Sequence, residues 1–220
     1  MKSGRVPFLG KKIMTYYDLY KSWKDKPEEF WMQAAQSVDW KKFPSEALND
    51  SNPPFYQWFS DGLANTCYNA VDRHVLAGFG KKAALIYDSP VTSSKEVISF
   101  SELLDRVAIL GGALLAKGIK KGDRVIIYMP MVPEAVISML ACARIGAIHS
   151  VVFGGFAANE LAVRIDDATP KAIIAGSCGI EPARIVKYKP LLDEAIVLAY
   201  HKPKFCVIFQ RKECEAELVS

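Results

Sequence analysis

The sequence has 220 residues, of which 50% are hydrophobic and 24% are charged, and its formal net charge is +4. This length and composition exclude an intrinsically disordered chain and suffice for a sizeable buried core. The mildly basic charge fits an anionic small ligand at least as well as a nucleic acid. We find no basic run interleaved with aromatic residues of the kind that RNA-binding proteins use, so we expect no nucleic-acid partner.

The cysteines and the apolar runs bear on the compartment. The five cysteines are scattered without a CxxC pair, which favours reduced thiols in a reducing compartment.

Prolines and charged residues interrupt the apolar tract at 125–153, so it contains no membrane span of about 20 residues. The first residues carry lysine and arginine but no acid before Asp18, as in either a transit-peptide remnant or a basic, flexible terminus. We predict a cytoplasmic location, with the mitochondrial matrix as the alternative.

Residues 1–60 are predicted to form a helical N-terminal extension, continued by a strap, that packs on the main body. Helices are expected at 16–24 and 27–38, and the second begins with proline and two glutamates, which suit a first helical turn. Residues 40–59 combine several prolines with aromatic residues, which predicts an irregular strap.

Residues 61–220 are predicted to form an α/β body. The expected elements are a helix at 65–76 capped by Thr66, strands at 83–87 and 97–100, a helix from Ser101 to Gly118, a strand at 123–128, a helix at 134–144, a strand at 148–153, a helix at 159–167, a strand at 172–175, a loop at 177–184, a helix at 190–198 and a strand at 205–209. Because strands and helices alternate, we expect a mainly parallel sheet flanked by helices.

The clearest unit is the strand, helix and strand in residues 122–156, GDRVIIYMPMVPEAVISMLACARIGAIHSVVFGGF. Pro133 and Glu134 suit the first turn of the helix, and Gly146 is expected to end it with a positive φ. Two buried strands joined by a helix are most simply a right-handed, parallel unit. Ligands of such sheets bind beyond the carboxyl ends of the strands, so residues 153–156 are expected to be functional.

Four blocks of sequence then resemble a known family: NTCYNAVDRHV, ALIYDSPVT, KGDRVIIYMPMVPEAVISMLACARIGAIHSVVFGGFAANELAVRIDDA and SCGIEPAR. In this order and spacing they resemble the N-terminal part of short-chain acyl-CoA synthetases, which are AMP-forming enzymes of the adenylate-forming superfamily. The sequence looks more like the propionate–CoA ligases than the acetate–CoA ligases. The resemblance extends from about residue 16 to residue 209, and implies part of the large N-terminal domain of such an enzyme.

The resemblance implies a two-step reaction, in which a short-chain carboxylate and ATP give an acyl-adenylate and the CoA thiol then displaces AMP. The family's phosphate loop, its adenine- and ribose-binding motifs and its C-terminal domain have no counterpart in these residues. We therefore expect a truncated gene product or an engineered piece that is inactive alone, contains no catalytic residue and leaves Mg–ATP to downstream motifs. A sheet cut part-way exposes an edge, so we also expect self-association.

In the family, the segment matching 181–184 holds the 3′-phosphate end of CoA, and the segment matching 153–155 lies near its adenine. The resemblance thus implies CoA binding by Glu181, Pro182, Ala183, Arg184, Phe153, Gly154 and Gly155. The residue types agree with this role. A guanidinium can donate two parallel hydrogen bonds to a phosphate, and glycine lets a ligand approach the backbone closely. Acetate-type members carry arginine in place of Glu181 and glycine in place of Ala183. Glu181 is therefore expected to orient Arg184 or to contact ribose or adenine.

Other interpretations stay open from the residues alone. Residues 153–155 could be a tight turn with a core phenylalanine, Arg184 a solvated surface arginine, and His149 a core histidine. We find no Ser/His/Asp set and no metal-ligand spacing. A non-catalytic module that binds a nucleotide, CoA or a partner could use the same half-sheet. A dinucleotide oxidoreductase is disfavoured because no GxGxxG motif follows the first strand.

Overall fold

The computed structural model describes residues 15–218. The predicted basic N-terminal stretch, with Lys2, Arg5, Lys11 and Lys12, lies outside the described residues. The described chain falls into two compact units, one ending at Asn65 and the other beginning at Thr66. The boundary expected between residues 60 and 61, and the packing of the extension on the body, stay predictions. Among residues 15–218, no helix has the length and apolar character needed to cross a membrane.

The first unit consists of short helices followed by short strand pairs. Its elements are α1 (Tyr16–Asp25), α2 (Pro27–Ala35), β1 (Trp40–Lys42), β2 (Leu48–Asn49), β3 (Gln57–Trp58) and β4 (Leu63–Ala64). Both predicted helices are confirmed, although α2 ends at Ala35 instead of Val38. Thr15 caps α1 reciprocally with Asp18. The strap is more regular than predicted, because β1 pairs antiparallel with β4 and β2 with β3.

The second unit begins with helical turns and continues as an α/β layer structure. After π-type turns at Tyr68–Asp72 and Val75–Phe79, its elements are β5 (Ala83–Ser89), β6 (Ser94–Ser99), α3 (Phe100–Ala116), β7 (Arg124–Met129), α4 (Pro133–Ile145), β8 (Ile148–Phe153), α5 (Ala158–Ala168), β9 (Ala172–Gly176), β10 (Cys178–Glu181), β11 (Arg184–Lys187), α6 (Tyr188–Leu198) and β12 (Phe205–Phe209). The main sheet is four-stranded and parallel, in the order β12-β9-β7-β8. Strands β5 and β6 form an antiparallel hairpin, as predicted.

The core lies on both faces of this sheet, because β7 and β9 are interior strands. Val125 and Ile127 of β7 point into a cluster with α3 and α4, whereas Ile126 and Tyr128 point into a cluster with α5 and α6. This alternation follows from the two-residue period of a strand. The predicted α/β fold, a mainly parallel sheet flanked by helices, is therefore confirmed.

The ends of the helices show where local sequence rules predicted the structure correctly and where they failed. Gly146 ends α4 with a left-handed φ of 74°, as predicted. The cap of α3 is Ser99, which bonds reciprocally with Glu102, so the prediction of Ser101 as the cap was wrong. Thr66, predicted as a cap, is itself the first residue of the helical stretch.

The loop predicted at 177–184 is wrong, because this segment contains β10 and continues into a hairpin with β11. Glu181 pairs with Arg184 at the turn, and Ile180 pairs with Ile185. The β-branched Ile180 and Ile185 favour a strand pair. Pro182 lies between them only at the turn of the hairpin, where it does not interrupt the strand pairing.

Strand β8 forms one edge of the sheet, since within the described residues it pairs only with β7. Ile148, Val151 and Phe153 are exposed along it. His149 is exposed on the same strand, so its interpretation as a core histidine was wrong. The sequence could not reveal this, because a β-branched run does not distinguish an edge strand from an interior one.

Candidate functional site

A tight turn follows β8 at the carboxyl end of the sheet. The Phe156 amide donates to the Phe153 carbonyl at 3.3 Å, and Gly155 has a φ of 95°, which side chains rarely adopt. The Tyr128 hydroxyl of β7 donates to the Phe156 carbonyl at 2.9 Å and anchors the turn. The Phe153 side chain is 70% exposed. The turn is therefore confirmed, but the interpretation of Phe153 as a core residue was wrong.

Gly154 lies where two neighbouring groups leave no room for a side chain. A Cβ built on Gly154 would lie 2.7 Å from the Met129 carbonyl oxygen and 2.7 Å from the Tyr188 hydroxyl. At Gly155 the nearest atom to such a Cβ is the same hydroxyl, at 3.8 Å. Packing within the protein alone thus requires glycine at 154, and the positive φ favours it at 155.

The β10–β11 hairpin carries the other predicted segment. Pro182 and Ala183 form its turn, and across it Arg184 Nε donates to Glu181 Oε2 at 2.8 Å. This ion pair matches the expectation that Glu181 orients Arg184. The hydrogen bond from Arg184 to the carboxylate raises the pKa of Arg184, so the guanidinium stays charged. The side chains are 71% and 50% exposed, so the pair contributes little to stability.

The base of the hairpin is bonded to the end of β12 through Ser177. The Ser177 amide donates to the Phe209 carbonyl at 2.9 Å, and the Tyr188 amide donates to the Ser177 carbonyl at 3.0 Å. The Arg211 amide donates to Ser177 Oγ at 2.9 Å. Arg211 Nη1 also donates to the Cys178 carbonyl at 3.1 Å. These bonds place the hairpin beside the carboxyl ends of the parallel strands.

The turn and the hairpin meet at one cleft of about 440 Å³. Among the predicted site residues, Phe153, Gly154 and Glu181 line this cleft. Gly155, Pro182, Ala183 and Arg184 lie outside its lining, although Arg184 is bonded to Glu181. Two segments separated by a helix, a strand and their connections thus converge beyond the strand ends, where ligands of such sheets bind.

Two cleft residues were not among the predicted site residues. Tyr188, the first residue of α6, is only 4% exposed, and its ring lies 5.0 Å from that of Tyr128. Arg211 is 8% exposed and also lines the cleft. Little in the sequence indicates that these two residues line a site. Arg211 is one of several basic residues in its segment, and Tyr188 is one of several aromatic residues that follow a strand.

Some of the basic side chains in the segment 181–212 form bonds away from the cleft. Lys189 pairs with Asp193 at 2.7 Å on α6. Lys202 Nζ donates to the carbonyls at the end of α6, including Val197 at 3.0 Å, where a cation is favoured by the helix dipole. Among residues 15–218, no group of three or more His, Cys, Asp or Glu side chains could hold a metal ion.

Protein-family models match both parts of the chain. The model described as "AMP-binding enzyme" matches residues 72–218. The model described as "Acetyl-coenzyme A synthetase N-terminus" matches residues 16–70. The two matches together extend over nearly all the described residues.

Curated proteins show strong similarity over most of this chain. "Acyl-CoA synthetase short-chain family member 3, mitochondrial" of Rattus norvegicus is 52% identical over 189 residues, which are 86% of this chain and 28% of that protein. Propionate–CoA ligase of Salmonella typhimurium is 45% identical over 198 residues, which are 90% of this chain and 31% of the ligase. The Escherichia coli propionate–CoA ligase is 43% identical over the same shares. The chain thus spans less than a third of these relatives.

Proposed function

This chain belongs to the AMP-binding enzyme family, and from that premise we propose that it is the first part of a short-chain acyl-CoA synthetase. The whole protein joins propionate, or acetate, to CoA at the cost of ATP. A carboxylate oxygen attacks the α-phosphorus of ATP and expels pyrophosphate, and the CoA thiol then attacks the acyl carbon and releases AMP. In this proposal, Mg–ATP is held by parts of the protein outside residues 1–220.

The role proposed for residues 1–220 is to bind CoA. Arg184 would bind the 3′-phosphate, since its guanidinium is charged and exposed, and among residues 15–218 it is held only by a solvent-accessible carboxylate. Phe153 would stack on adenine with its exposed ring, beside the glycine backbone of 154 and 155. Pro182 and Ala183 form the turn that presents Glu181 and Arg184 to the ligand.

One observation carries this proposal, the convergence of the 153–155 turn and the 181–184 hairpin. Phe153, Gly154 and Glu181 line one cleft at the carboxyl end of a parallel sheet, and Arg184 is bonded to Glu181. The resemblance assigned both segments to one ligand, which requires them to lie close together. This requirement is a strict one, because the two segments are well separated in the chain.

The propionate preference rests on two supports. Curated relatives from two bacteria carry the name propionate–CoA ligase. Glu181 and Ala183 also depart from the arginine and glycine of acetate-type members. For the compartment, we propose the cytoplasm, with the mitochondrial matrix as the alternative that the printed name of the rat relative supports. Nucleic acids and membranes are not among the proposed partners.

Residues 1–220 alone are proposed to be inactive in adenylation, because the family's phosphate loop and catalytic lysine have no counterpart in them. The alternative function, a non-catalytic CoA-binding or scaffold module, is supported by the same cleft. Self-association of the isolated chain is also proposed, since Ile148 and Val151 are exposed on the open edge of β8.

The proposed function is tested by Arg184→Ala in the full-length protein. Loss of a charge-assisted phosphate contact should raise the KM for CoA at least about tenfold. Pyrophosphate release from ATP and propionate without CoA should not change. The matched control is Arg106→Ala, because Arg106 is also partly exposed to solvent and bonded to a glutamate, Glu96, at 2.8 Å.

An equal loss in both half-reactions would contradict the assignment of Arg184 to CoA. A full-length wild-type protein that forms no thioester from ATP, CoA and propionate or acetate would overturn the proposed enzyme. Thioester or pyrophosphate formation by residues 1–220 alone would overturn the proposed inactivity of this part.

A further inference from the structure

Tyr188 occupies an enclosed position between two segments of the site. Its ring packs against Tyr128 with an interplanar angle of 36°. Its hydroxyl lies against Gly154 of the turn and against Gly179 of β10, and a Cβ on either glycine would overlap it. Glycine at both places therefore makes the room that the Tyr188 hydroxyl occupies.

The Tyr188 ring is buried, but its hydroxyl has no hydrogen-bond partner among the described residues and is not fully enclosed by them. Within residues 15–218 it makes no hydrogen bond, whereas the Tyr128 hydroxyl beside it donates to the Phe156 carbonyl at 2.9 Å. Buried tyrosine hydroxyls normally have a partner. Since Tyr188 is 4% exposed and lines the cleft, a ligand in the cleft could provide that partner.

The protonation state of Tyr188 suits a donor. Burial raises its pKa to about 12. The hydroxyl therefore keeps its proton at neutral pH and can donate to an oxygen or a ring nitrogen.

We propose that Tyr188 contacts the ligand directly and donates a hydrogen bond to the adenosine part of CoA. This proposal rests on the proposed function. Adenosine is favoured over the 3′-phosphate because the hydroxyl lies at Gly154 and Gly155, the segment assigned to adenine. Within the hairpin it lies beside Gly179 in β10, whereas Arg184, assigned to the phosphate, lies at the turn.

The test is Tyr188→Phe in the full-length protein, which keeps the ring and removes one oxygen atom. Loss of one hydrogen bond should raise the KM for CoA about five- to tenfold, with kcat and CoA-independent pyrophosphate release unchanged. The KM for dephospho-CoA, which lacks the 3′-phosphate, should rise by the same factor. Arg184→Ala should instead raise the KM for CoA much more than that for dephospho-CoA.

The control is Tyr200→Phe, because Tyr200 is 96% exposed and its variant should leave both KM values unchanged. A KM unchanged for both ligands in Tyr188→Phe would overturn the contact. A rise with CoA but not with dephospho-CoA would overturn the assignment to adenosine. A proportional fall in both half-reactions would show a purely structural role and overturn the proposal. Absence of thioester formation by the wild type would instead overturn the proposed function.

Discussion

The two ends of the parallel sheet use their polar groups differently. At the amino end, Lys171 Nζ donates to Asp123 Oδ2 at 2.7 Å and to the Gly118 carbonyl at 2.5 Å. Arg124 donates to the Ala168 carbonyl at 2.6 Å and to Thr169 Oγ1 at 2.7 Å. Charged side chains at this end therefore join strands and loops together.

At the carboxyl end, several groups are instead exposed or, within the described part of the chain, unbonded. Arg184 is held only by the half-exposed Glu181, the ring of Phe153 faces solvent, and the Tyr188 hydroxyl has no partner among residues 15–218. The charged groups at the amino end are thus used in structural bonds, whereas several groups at the carboxyl end are left for the ligand site proposed above. Four substitutions in three experiments test this comparison of the two ends.

The largest effect on stability is expected for Gly154→Ala at the carboxyl end. The new methyl group would lie 2.7 Å from the Met129 carbonyl oxygen, which cannot move without disturbing β7. The free energy of unfolding should fall by about 2 kcal/mol, as for other overpacked sites. It can be measured by urea denaturation followed by far-ultraviolet circular dichroism.

The matched control is Gly112→Ala in α3, where an added Cβ meets no atom within 4 Å. This variant should be stabilised by up to about 1 kcal/mol, since alanine favours a helix interior. If both variants lost the same stability, close packing at Gly154 would not be the cause.

A smaller, pH-dependent effect is expected for Lys171→Met at the amino end. The hydrogen bond from Lys171 is the main cause that lowers the pKa of Asp123. A lowered carboxyl pKa stabilises the fold above the unfolded value of about 3.9, and this contribution is lost as the pH falls through the folded pKa. The urea midpoint of the variant should therefore lie below that of the wild type at pH 7 and approach it at pH 3.

Lys204→Met is the control, because the Lys204 side chain is exposed and has no ion pair among the described residues. Its urea midpoint should follow that of the wild type at both pH values. A midpoint difference for Lys171→Met that persists unchanged at pH 3 would contradict the role of Asp123.

The smallest expected effect on stability distinguishes the hydroxyl of Tyr128 from that of Tyr188. Tyr128→Phe removes the bond to the Phe156 carbonyl and should cost about 1 kcal/mol of unfolding free energy. Tyr188→Phe removes a hydroxyl without a described protein partner and should leave this free energy nearly unchanged. Thermal or urea denaturation of the two variants compares them directly, and equal losses would argue that both hydroxyls are structural.

The local part of the fold could be predicted well from the sequence. The β-branched run at Ile148–Phe153 has the bounds expected of it, and Gly146 ends α4 in the left-handed conformation. The predictions failed where the deciding contacts were not local. The hairpin at 178–187 was taken for a loop, since its pairing depends on residues on both sides of a proline turn.

The candidate site was predicted only in part. The CoA assignment of residues 153–155 and 181–184 came from resemblance and stays a proposal. The sequence held no sign that Tyr188 would lie against Gly154 and Gly179, because these residues are far apart in the chain. The same reason explains the exposure of His149, which depends on β8 being an edge strand.

The amino-acid sequence by itself determined the order of strands and helices, the apolar faces that form the core and the membership of the family. These properties follow from local periodicity, from helix-ending residues and from long runs of matching residues. Only the tertiary structure decided which strand lies at the edge, how the 153–155 turn meets the hairpin and which hydroxyl is left without a partner among the described residues. Such features depend on distances between separate segments, and the free energy of packing the whole sheet sets those distances.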